Sequence, residues 1–324
     1  PGVGCTIPPN LTQKGGKGLA FDMEEYLMDA VRLYSQLTGG VKLKHAATPF
    51  PPEGSLVHAD DCVRGEMAGV ACRALMKNLW LARLARPDIQ KAICNLTHDL
   101  QQWSRNDDRK LYRLMCFLNS TPHHRLIGRV NDPPELLKLL LFVDADFAGD
   151  DKHAKSTSGG YLVLAGPNTW FPLVWLSKTQ TSVSRSTTES EVVSLAHSLF
   201  TEALPVMDLW DLLLGRSIKL YILEDNQATI KVVLSGYSQK LRHVLRTHKV
   251  NLGSIKDVLE KDNAEVMYCN TDFQAADVFT KSLPPHKWDA AVALLGIDTT
   301  GKHTVPAGVC QTCRSADPTL MSAN

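Results

Sequence analysis

The sequence has almost no net charge, because 35 lysine and arginine residues are balanced by 34 aspartate and glutamate residues. The formal charge of +1 excludes a global basic field, so a nucleic-acid partner would have to be held by a local patch. The sequence also lacks a secretory signal and an apolar stretch of membrane-spanning length, so no membrane partner is expected. It begins with Pro1 and Gly2 instead of a methionine, which suggests a fragment or a processed piece.

The eight cysteines show no pattern typical of a disulfide framework. Several lie in apolar runs, as Cys72, Cys94 and Cys116 do. This placement predicts reduced, buried thiols and therefore a cytosolic or nuclear protein. The hydrophobic content of 44% and the charged content of 21% are typical of a folded globular protein.

The first part of the chain is predicted to be helical. Residues 1–21 are rich in glycine and lysine and are predicted to form a flexible tail. Apolar residues then recur at helical spacing over Asp22–Leu37 and in three further stretches between Gly65 and Asn119, with Asp88 predicted to cap one of these helices. Residues 22–130 are therefore predicted to form a helical segment that ends at the break Asn131-Asp132-Pro133-Pro134.

Residues 135–298 show a different pattern, which predicts an α/β domain with a mixed sheet and flanking helices. The predicted order is three strands, a helix, a strand, two helices, a strand and a helix, with a hairpin meander at one edge of the sheet. The first helix covers Thr188–Leu214 with a kink or break at Pro205, and a later helix covers residues 246–260.

The last residues, 299–324, are predicted to form a tail. Within it, Cys310 and Cys313 are spaced as one half of a zinc site, with His303 nearby. A structural zinc site needs four ligands, so a tail without metal is the alternative.

Four carboxylates occupy suggestive positions in the α/β domain. Asp144 ends the first strand, Glu191 lies in the long helix, Asp225 closes the fourth strand and Asp277 begins the last helix. Side chains that follow strands lie at the carboxyl end of a sheet, where open α/β folds bind their ligands. Such a cluster repels itself unless cations neutralise it, and oxygen ligands suit Mg²⁺.

Each carboxylate also has an ordinary structural interpretation. Asp225 is typical of a turn or a helix cap, and Asp277 of a first-turn acid that stabilises a helix N-terminus. Glu189 and Glu191 are two positions apart, so only one of them can share a given helix face. The argument for a site therefore depends on the four residues together.

The sequence motifs around these acids resemble the motifs of a known protein family. Residues 143–150 (VDADFAGD) and 155–161 (KSTSGGY) resemble the S-D-A-D-W-A-G-D and K-S-T-S-G-Y words of copia-type retrotransposon ribonuclease H. Residues 174–180 (VWLSKTQ), 186–195 (STTESEVVSL), 224–228 (EDNQA) and 271–283 (TDFQAADVFTKSL) are similar to I-S-W-x-S-K-K-Q, S-S-T-E-A-E-Y-x-A-L, C-D-N-Q-S-A and T-x-x-Q-x-A-D-I-F-T-K-P-L. Residues 65–89 are similar to the segment between polymerase and ribonuclease in the same polyproteins, and residues 107–118 fit its K-R-V-L-R-Y-L region. Residues 22–49 resemble the run before that segment, whereas the polymerase motif Y-x-D-D is absent.

The resemblance implies a ribonuclease H-like fold and hydrolysis of the RNA strand of RNA–DNA hybrids during reverse transcription. Asp144, Glu191, Asp225 and Asp277 match the four acids that would hold two Mg²⁺ ions, with Mn²⁺ as an alternative. Asp144 is preferred over Asp146, and Glu191 over Glu189, because of the apolar residues next to them. The implied partner is the reverse transcriptase region of the same polyprotein, in cytoplasmic virus-like particles or in the nucleus.

Basic and polar residues near the motifs are predicted to contact phosphates and 2′-hydroxyls of the hybrid. They are Lys155, Ser156, Lys178, Arg185, Asn226, Gln227, Arg242, Arg246, His248 and Lys249. The alternative is that these charged side chains are simply solvated. The family's R-T-K-H-I-D-I-R-Y-H segment appears here as RTHKVNLGSI (residues 246–255). This difference puts the contacts of the predicted helix over residues 246–260 with the hybrid in question.

Two other functions stay open. A folded remnant that has lost catalysis could bind hybrid or a polymerase partner without cleaving it. A related nuclease or an integrase of the same general fold is the third interpretation. The order of the acids argues against the integrase, because integrases place a glutamate last.

Overall fold

The structure is a computed structural model that describes residues 4–6, 17–149 and 154–300. The chain divides into two compact units. The first unit contains Gly18–Ile127 and the segment that begins at Ser282, and the second contains Gly128–Lys281. The boundaries differ from the predicted domain of residues 135–298, because the segment after Lys281 packs within the first unit.

Among the described residues up to residue 130, there are four α-helices and three strands. These elements are β1 (Gly4–Thr6), β2 (Lys17–Asp22), α1 (Glu24–Leu37), α2 (Ala71–Leu84), α3 (Gln90–His98), α4 (Arg105–Ser120) and β3 (Arg125–Val130). Strands β1 and β2 pair antiparallel, with Cys5 opposite Phe21, so the prediction of a flexible tail is wrong for these residues. Strand β3 was also missed, because the preceding helical pattern was extended to the Pro133-Pro134 break.

Helix α4 begins at a capping box formed by Ser104 and Asp107. The prediction that Asp88 caps helix α3 is wrong, because its carboxylate is buried and paired with Arg86. The cysteine prediction holds for Cys116, which is buried, whereas Cys94 is half-buried and Cys72 is exposed.

The second unit contains the α/β domain. Its elements after β3 are β4 (Lys138–Asp146), β5 (Thr157–Gly166), β6 (Thr169–Thr179), α5 (Thr187–Ser198), α6 (Leu204–Leu214), β7 (Leu220–Glu224), α7 (Gln227–Ser235), α8 (Val244–Thr247), α9 (Leu252–Lys261), β8 (Ala264–Tyr268) and α10 (Asp277–Thr280). In the sheet, β6, β5, β4, β7 and β8 are neighbours in that order. The pairs among β4, β5 and β6 are antiparallel, whereas β7 pairs parallel with both β4 and β8. The predicted mixed sheet with flanking helices is confirmed.

Strand β4 lies at the centre of this sheet and is buried along most of its length. Its apolar residues continue into a core that includes Ile222 of β7 and Val192 and Leu195 of α5. Burial on both faces explains why β4 is a continuous apolar run and not an alternating one. The core therefore fixes the positions of the strand ends and of helix α5.

The long predicted helix is continuous, because a π-helical turn at Leu199–Ala203 joins α5 to α6. Pro205 lies in the first turn of α6, where a missing N–H costs little. The whole helix, Thr187–Leu214, is long and apolar enough to span a membrane by length and composition alone. The prediction that the sequence has no apolar stretch of membrane-spanning length is therefore wrong. Half of its most apolar window is buried within the protein, as expected of a core helix.

The prediction of one continuous helix over residues 246–260 is wrong, because the helix is interrupted between Thr247 and Leu252. Helix α8 ends at Thr247, Lys249 adopts a left-handed conformation with φ of 60°, and Asn251 caps the start of α9. The break places Lys249 on the surface beside the start of α9.

The chain after Lys281 forms helix α11 (Pro285–Leu294) and strand β9 (Ile297–Asp298), which were not predicted. Trp288 of α11 is buried and packs edge-on against Phe50 and Phe117. Strand β9 pairs with Arg125 and Leu126 of β3. The proposed zinc ligands His303, Cys310 and Cys313 lie outside the described residues.

Arg86 and Asp88 form a buried ion pair that we expect to stabilise the first unit. Arg86 donates to Asp88 through Nε at 2.9 Å and to the Thr121 carbonyl oxygen at 2.9 Å. Asp88→Ala would leave the guanidinium buried without its counter-ion, and such losses cost about 3–5 kcal/mol. Urea unfolding should show this decrease, whereas Asp29→Asn, which removes an exposed pair, should unfold close to wild type. Equal midpoints for the two variants would contradict the prediction.

Candidate active site

The candidate site lies at the carboxyl ends of the parallel neighbours β4 and β7. The side chain of Gln274 ties these ends together, because its Nε2 donates to the carbonyl oxygens of Val143 at 3.0 Å and Leu223 at 3.4 Å. Both carbonyls belong to the residues just before the acidic positions of the strands. The sheet therefore brings Asp144 and Asp225 to one place.

Five carboxylates meet there in two overlapping groups. In the first, one oxygen each of Asp144, Asp225 and Asp277 lie within 4.8 Å of one another. In the second, the same holds for Glu191, Glu224 and Asp225. The structure thus brings the four predicted acids together and adds Glu224.

Helix α5 is held so that Glu191 points into this cluster. Ser186 caps the helix, and the hydroxyl of Ser194, which lies about one turn after Glu191, donates to the Asp144 carbonyl oxygen at 2.7 Å. The neighbouring residue Val192 is fully buried in the core. Because these contacts fix the rotation of the helix, Glu191 is only 3% exposed.

Helix α10 approaches the sheet closely because β5 carries a glycine opposite Asp144. A Cβ atom added at Gly159 would lie 2.5 Å from the Thr280 methyl carbon and 3.0 Å from the Ala276 carbonyl oxygen. A larger residue would push the helix away. The glycine therefore allows Asp277 to reach the other acids.

Glu189 and Asp146, the two acids that the sequence disfavours as site residues, lie outside the two carboxylate groups. Glu189 is buried beside two histidines, with its Oε1 at 3.1 Å from His243 Nε2 and 3.2 Å from His248 Nε2. Asp146 belongs to neither of the two groups found among the described carboxylates. The geometry thus separates Glu191 from Glu189 and Asp144 from Asp146 in the way that the sequence predicted.

Lys281 supplies positive charge at one side of the cluster. Its Nζ lies 2.8 Å from Asp277 Oδ1 and 3.2 Å from Asp144 Oδ1. The Thr280 hydroxyl donates to the other oxygen of Asp144, and the Thr271 hydroxyl donates to Asp225 at 3.0 Å. One ammonium group therefore faces five carboxylates.

The pKa values of the carboxyl groups reflect their burial and the excess of carboxylates over positive charge. Burial, and then the charges of Glu224 and Asp144, raise the pKa of Glu191 to about 11. Burial and the Asp144 charge raise the pKa of Asp277 to about 6, and burial also raises the pKa values of Glu224 and Asp225. Burial alone would lower the pKa of Lys281, but Asp144 and Asp277 raise it.

Two buried oxygens in the cluster have no hydrogen-bond partner: Glu191 Oε2 and Glu224 Oε2. Carboxylate oxygens are the ligands that Mg²⁺ prefers, and a buried orphan acceptor is costly unless something compensates it. The donor set and the unmatched charge therefore fit divalent cations. Among the described residues, these two groups are the sites that could hold a metal ion.

Most of the predicted substrate-binding residues are accessible. Lys155 is half-buried, and the exposed ones are Lys178, Arg185, Gln227, Arg242, Arg246 and Lys249. Lys178 and Lys249 line a cleft of about 500 Å³ between β6, α5 and the start of α9, with His197 on its wall. Lys178 and Lys249 give this basic cleft local positive charge.

Three predicted contacts are not supported by their positions. Ser156 is fully buried, and its Oγ accepts a hydrogen bond from the Ala148 N–H. His248 also lines the cleft, but its side chain is only 1% exposed and its Nε2 faces Glu189. Asn226 caps helix α7 by accepting from the Ala228 N–H.

Sequence reasoning missed Glu224, Gln274 and Lys281. Gln274 and Lys281 lie inside the motif TDFQAADVFTKSL, so the motif carried their signal without indicating their roles. Glu224 stands where the quoted family word has a cysteine, and its position next to Asp225 at a strand end was the available signal.

The most similar proteins include several transposon polyproteins. The chain is 25% identical over 289 residues to the retrovirus-related Pol polyprotein from transposon RE1 of Arabidopsis thaliana, covering 86% of this chain. It is 25% identical over 274 residues to the polyprotein from transposon TNT 1-94 of Nicotiana tabacum, covering 84% of this chain. It is also 28% identical over 179 residues to the transposon Ty1-H Gag-Pol polyprotein of Saccharomyces cerevisiae.

The chain spans only 18% and 19% of the length of the two plant polyproteins. No family model matches it. Among solved structures, it is similar to a ribonuclease H1 isolated from compost, with 13% identity and a TM-score of 0.32, over 48% of this chain and 98% of that chain. The homologues of this chain are therefore retrovirus-related Pol polyproteins of copia-type transposons.

Proposed function

We propose that the second unit is the ribonuclease H of a copia-type retrotransposon polyprotein, which hydrolyses the RNA strand of RNA–DNA hybrids with two Mg²⁺ ions. The observation that carries the proposal is that Asp225 belongs to two adjacent carboxylate groups, one with Asp144 and Asp277 and one with Glu191. Two overlapping groups suit two cations that share a ligand. Such a reaction would accompany reverse transcription by another region of the same polyprotein, in cytoplasmic particles or in the nucleus.

When bound, two Mg²⁺ ions supply an activated water and stabilise the leaving oxygen in phosphodiester hydrolysis. The residues that would hold them are Asp144, Glu191, Asp225 and Asp277. Helix α5 and the Gln274 bridge keep these acids in place before substrate arrives, so little reorganisation is needed during the reaction. Mn²⁺ has the same ligand preference and could replace Mg²⁺.

The basic cleft would hold the hybrid beside the acids. Lys178, Lys249 and Arg185 are exposed and carry positive charge toward solvent. Contacts of this kind reach phosphates and do not read base sequence. The unit is thus expected to bind hybrids without sequence preference.

Asp144→Asn should strongly reduce cleavage while leaving the fold intact. Asparagine keeps the size of the side chain but removes one charged ligand, and we expect a loss of about a hundredfold or more in rate. The measurement is cleavage of a labelled RNA–DNA hybrid with Mg²⁺, with a DNA duplex as the substrate control and Glu265→Gln as the protein control. Glu265, on strand β8, is half-exposed and pairs with Lys219.

The same assay separates the proposal from the alternative of an inactive remnant. Hybrid binding without cleavage in the wild-type chain, unaffected by Asp144→Asn and without affinity for Mg²⁺, would support the remnant and contradict the nuclease.

Lys178→Ala and Lys249→Ala should weaken hybrid binding in a salt-dependent way. Each lysine that neutralises a phosphate contributes a slope of about −0.9 to the dependence of log K on log salt concentration. Each variant should therefore reduce the measured slope by about one. Lys261→Ala is a suitable control, because Lys261 pairs with Asp257 at the end of α9. Unchanged slopes for both cleft variants would place the hybrid on another surface.

Without divalent cations, the second unit should lose stability as the pH rises. A carboxyl group whose pKa is raised by folding holds its proton more tightly in the folded state, so its contribution is lost as the pH rises through the folded pKa. For Asp277 the loss runs from its usual value of 3.8 to about 6, and for Glu191 from 4.5 to about 11.

Thermal unfolding in EDTA at pH 5 and pH 8 measures this loss. The midpoint of the wild-type chain should fall between the two conditions, and Glu191→Gln should reduce the fall because glutamine does not ionise. Added Mg²⁺ should raise the midpoint more at pH 8, because bound cations require deprotonated ligands. A midpoint that rises with pH in EDTA, for the wild-type chain and the variant alike, would contradict the prediction.

A further inference from the structure

Glu224 is a carboxylate that the family resemblance does not account for. It is the last residue of β7, and the quoted family word C-D-N-Q-S-A has a cysteine in its place. The side chain is fully buried, although glutamate is rarely buried without a partner. Its position therefore calls for a physical explanation.

The contacts of Glu224 satisfy only one of its two oxygens. Oε1 accepts a hydrogen bond from the Asn226 N–H at 3.0 Å, whereas Oε2 is buried and has no hydrogen-bond partner. Glu191 Oε2 is in the same situation. These two glutamates and Asp225 each direct an oxygen to within 4.8 Å of the others.

That separation suits a cation between the oxygens. Mg²⁺ binds oxygen at about 2.0–2.1 Å, so ligands on opposite sides of the ion lie roughly 4 Å apart. The ammonium group of Lys281 does not satisfy the orphan oxygens, because it contacts Asp144 and Asp277. A divalent cation would satisfy both glutamate oxygens and reduce the repulsion among the three carboxylates.

We propose that Glu224 is an additional ligand for the cation held by Glu191 and Asp225, which makes this position a three-carboxylate site. The inference rests on the proposed function, since it concerns one of the two cation positions assigned there. The other position, with Asp144 and Asp277, already has the Lys281 ammonium beside it. The Glu224 position therefore binds its cation more tightly and fills first as the concentration rises.

The test is a titration of the full chain with Mn²⁺ alone, in which electron paramagnetic resonance counts the free ion. The wild-type chain should bind two ions with different affinities. Glu224→Gln and Glu224→Cys should weaken the tighter of the two by tenfold or more, because ligand charge sets the affinity of such sites. Asp277→Asn should weaken mainly the other ion, and Glu265→Gln should bind as wild type does.

Thermal unfolding separates a ligand from a merely structural residue. In EDTA, Glu224→Gln should unfold at the wild-type temperature or higher, because glutamine keeps the acceptor for the Asn226 N–H and cannot ionise in the buried position. With Mn²⁺ the same variant should gain less stability than the wild-type chain. Equal losses of midpoint with and without Mn²⁺ would show a structural role and overturn the inference.

The binding data also distinguish this inference from the proposed function. If Asp144→Asn weakens Mn²⁺ binding but Glu224→Gln and Glu224→Cys bind as wild type does, only the role of Glu224 is wrong. If the wild-type chain binds no Mn²⁺, both the role of Glu224 and the two-cation proposal are wrong.

Discussion

The second unit depends on a balance between core packing and electrostatic repulsion. Its central strand, its neighbouring strand and two helices direct five carboxylates to one place, with Lys281 in contact with two of them. Nothing in the chemistry of these side chains favours their approach to one another. The apolar core behind them, together with the Gln274 bridge, supplies the stability that holds them together.

The sequence predicted this arrangement as far as local pattern extends. Apolar runs located the central strand β4, and an acid just after such a run must lie at the carboxyl end of the sheet. The apolar residues after Glu191 correctly separated it from Glu189, because helix periodicity fixes which residue faces the core. The family motif then identified Asp277, which does not directly follow a strand.

The features that the sequence did not reveal depend on distant contacts. Ser156 is buried beside Ala148, and the side chain of His248 is buried beside Glu189 of helix α5. The residues next to Ser156 and His248 in the sequence do not indicate this burial. Glu224 could not be assigned because its orphan oxygen is visible only beside Glu191. Strand β9 and helix α11 were missed because they pack against residues more than a hundred positions earlier.

The order of the units along the chain has a consequence for synthesis. The first unit is completed by α11, whose Trp288 packs on Phe50 and Phe117, yet the whole second unit is translated between them. On the ribosome, Phe50 and Phe117 therefore emerge long before their aromatic partner. The second unit has all its strands available earlier and can fold first. In nascent chains, the second unit should thus become resistant to proteolysis before the first unit, although the first unit begins nearer the N-terminus.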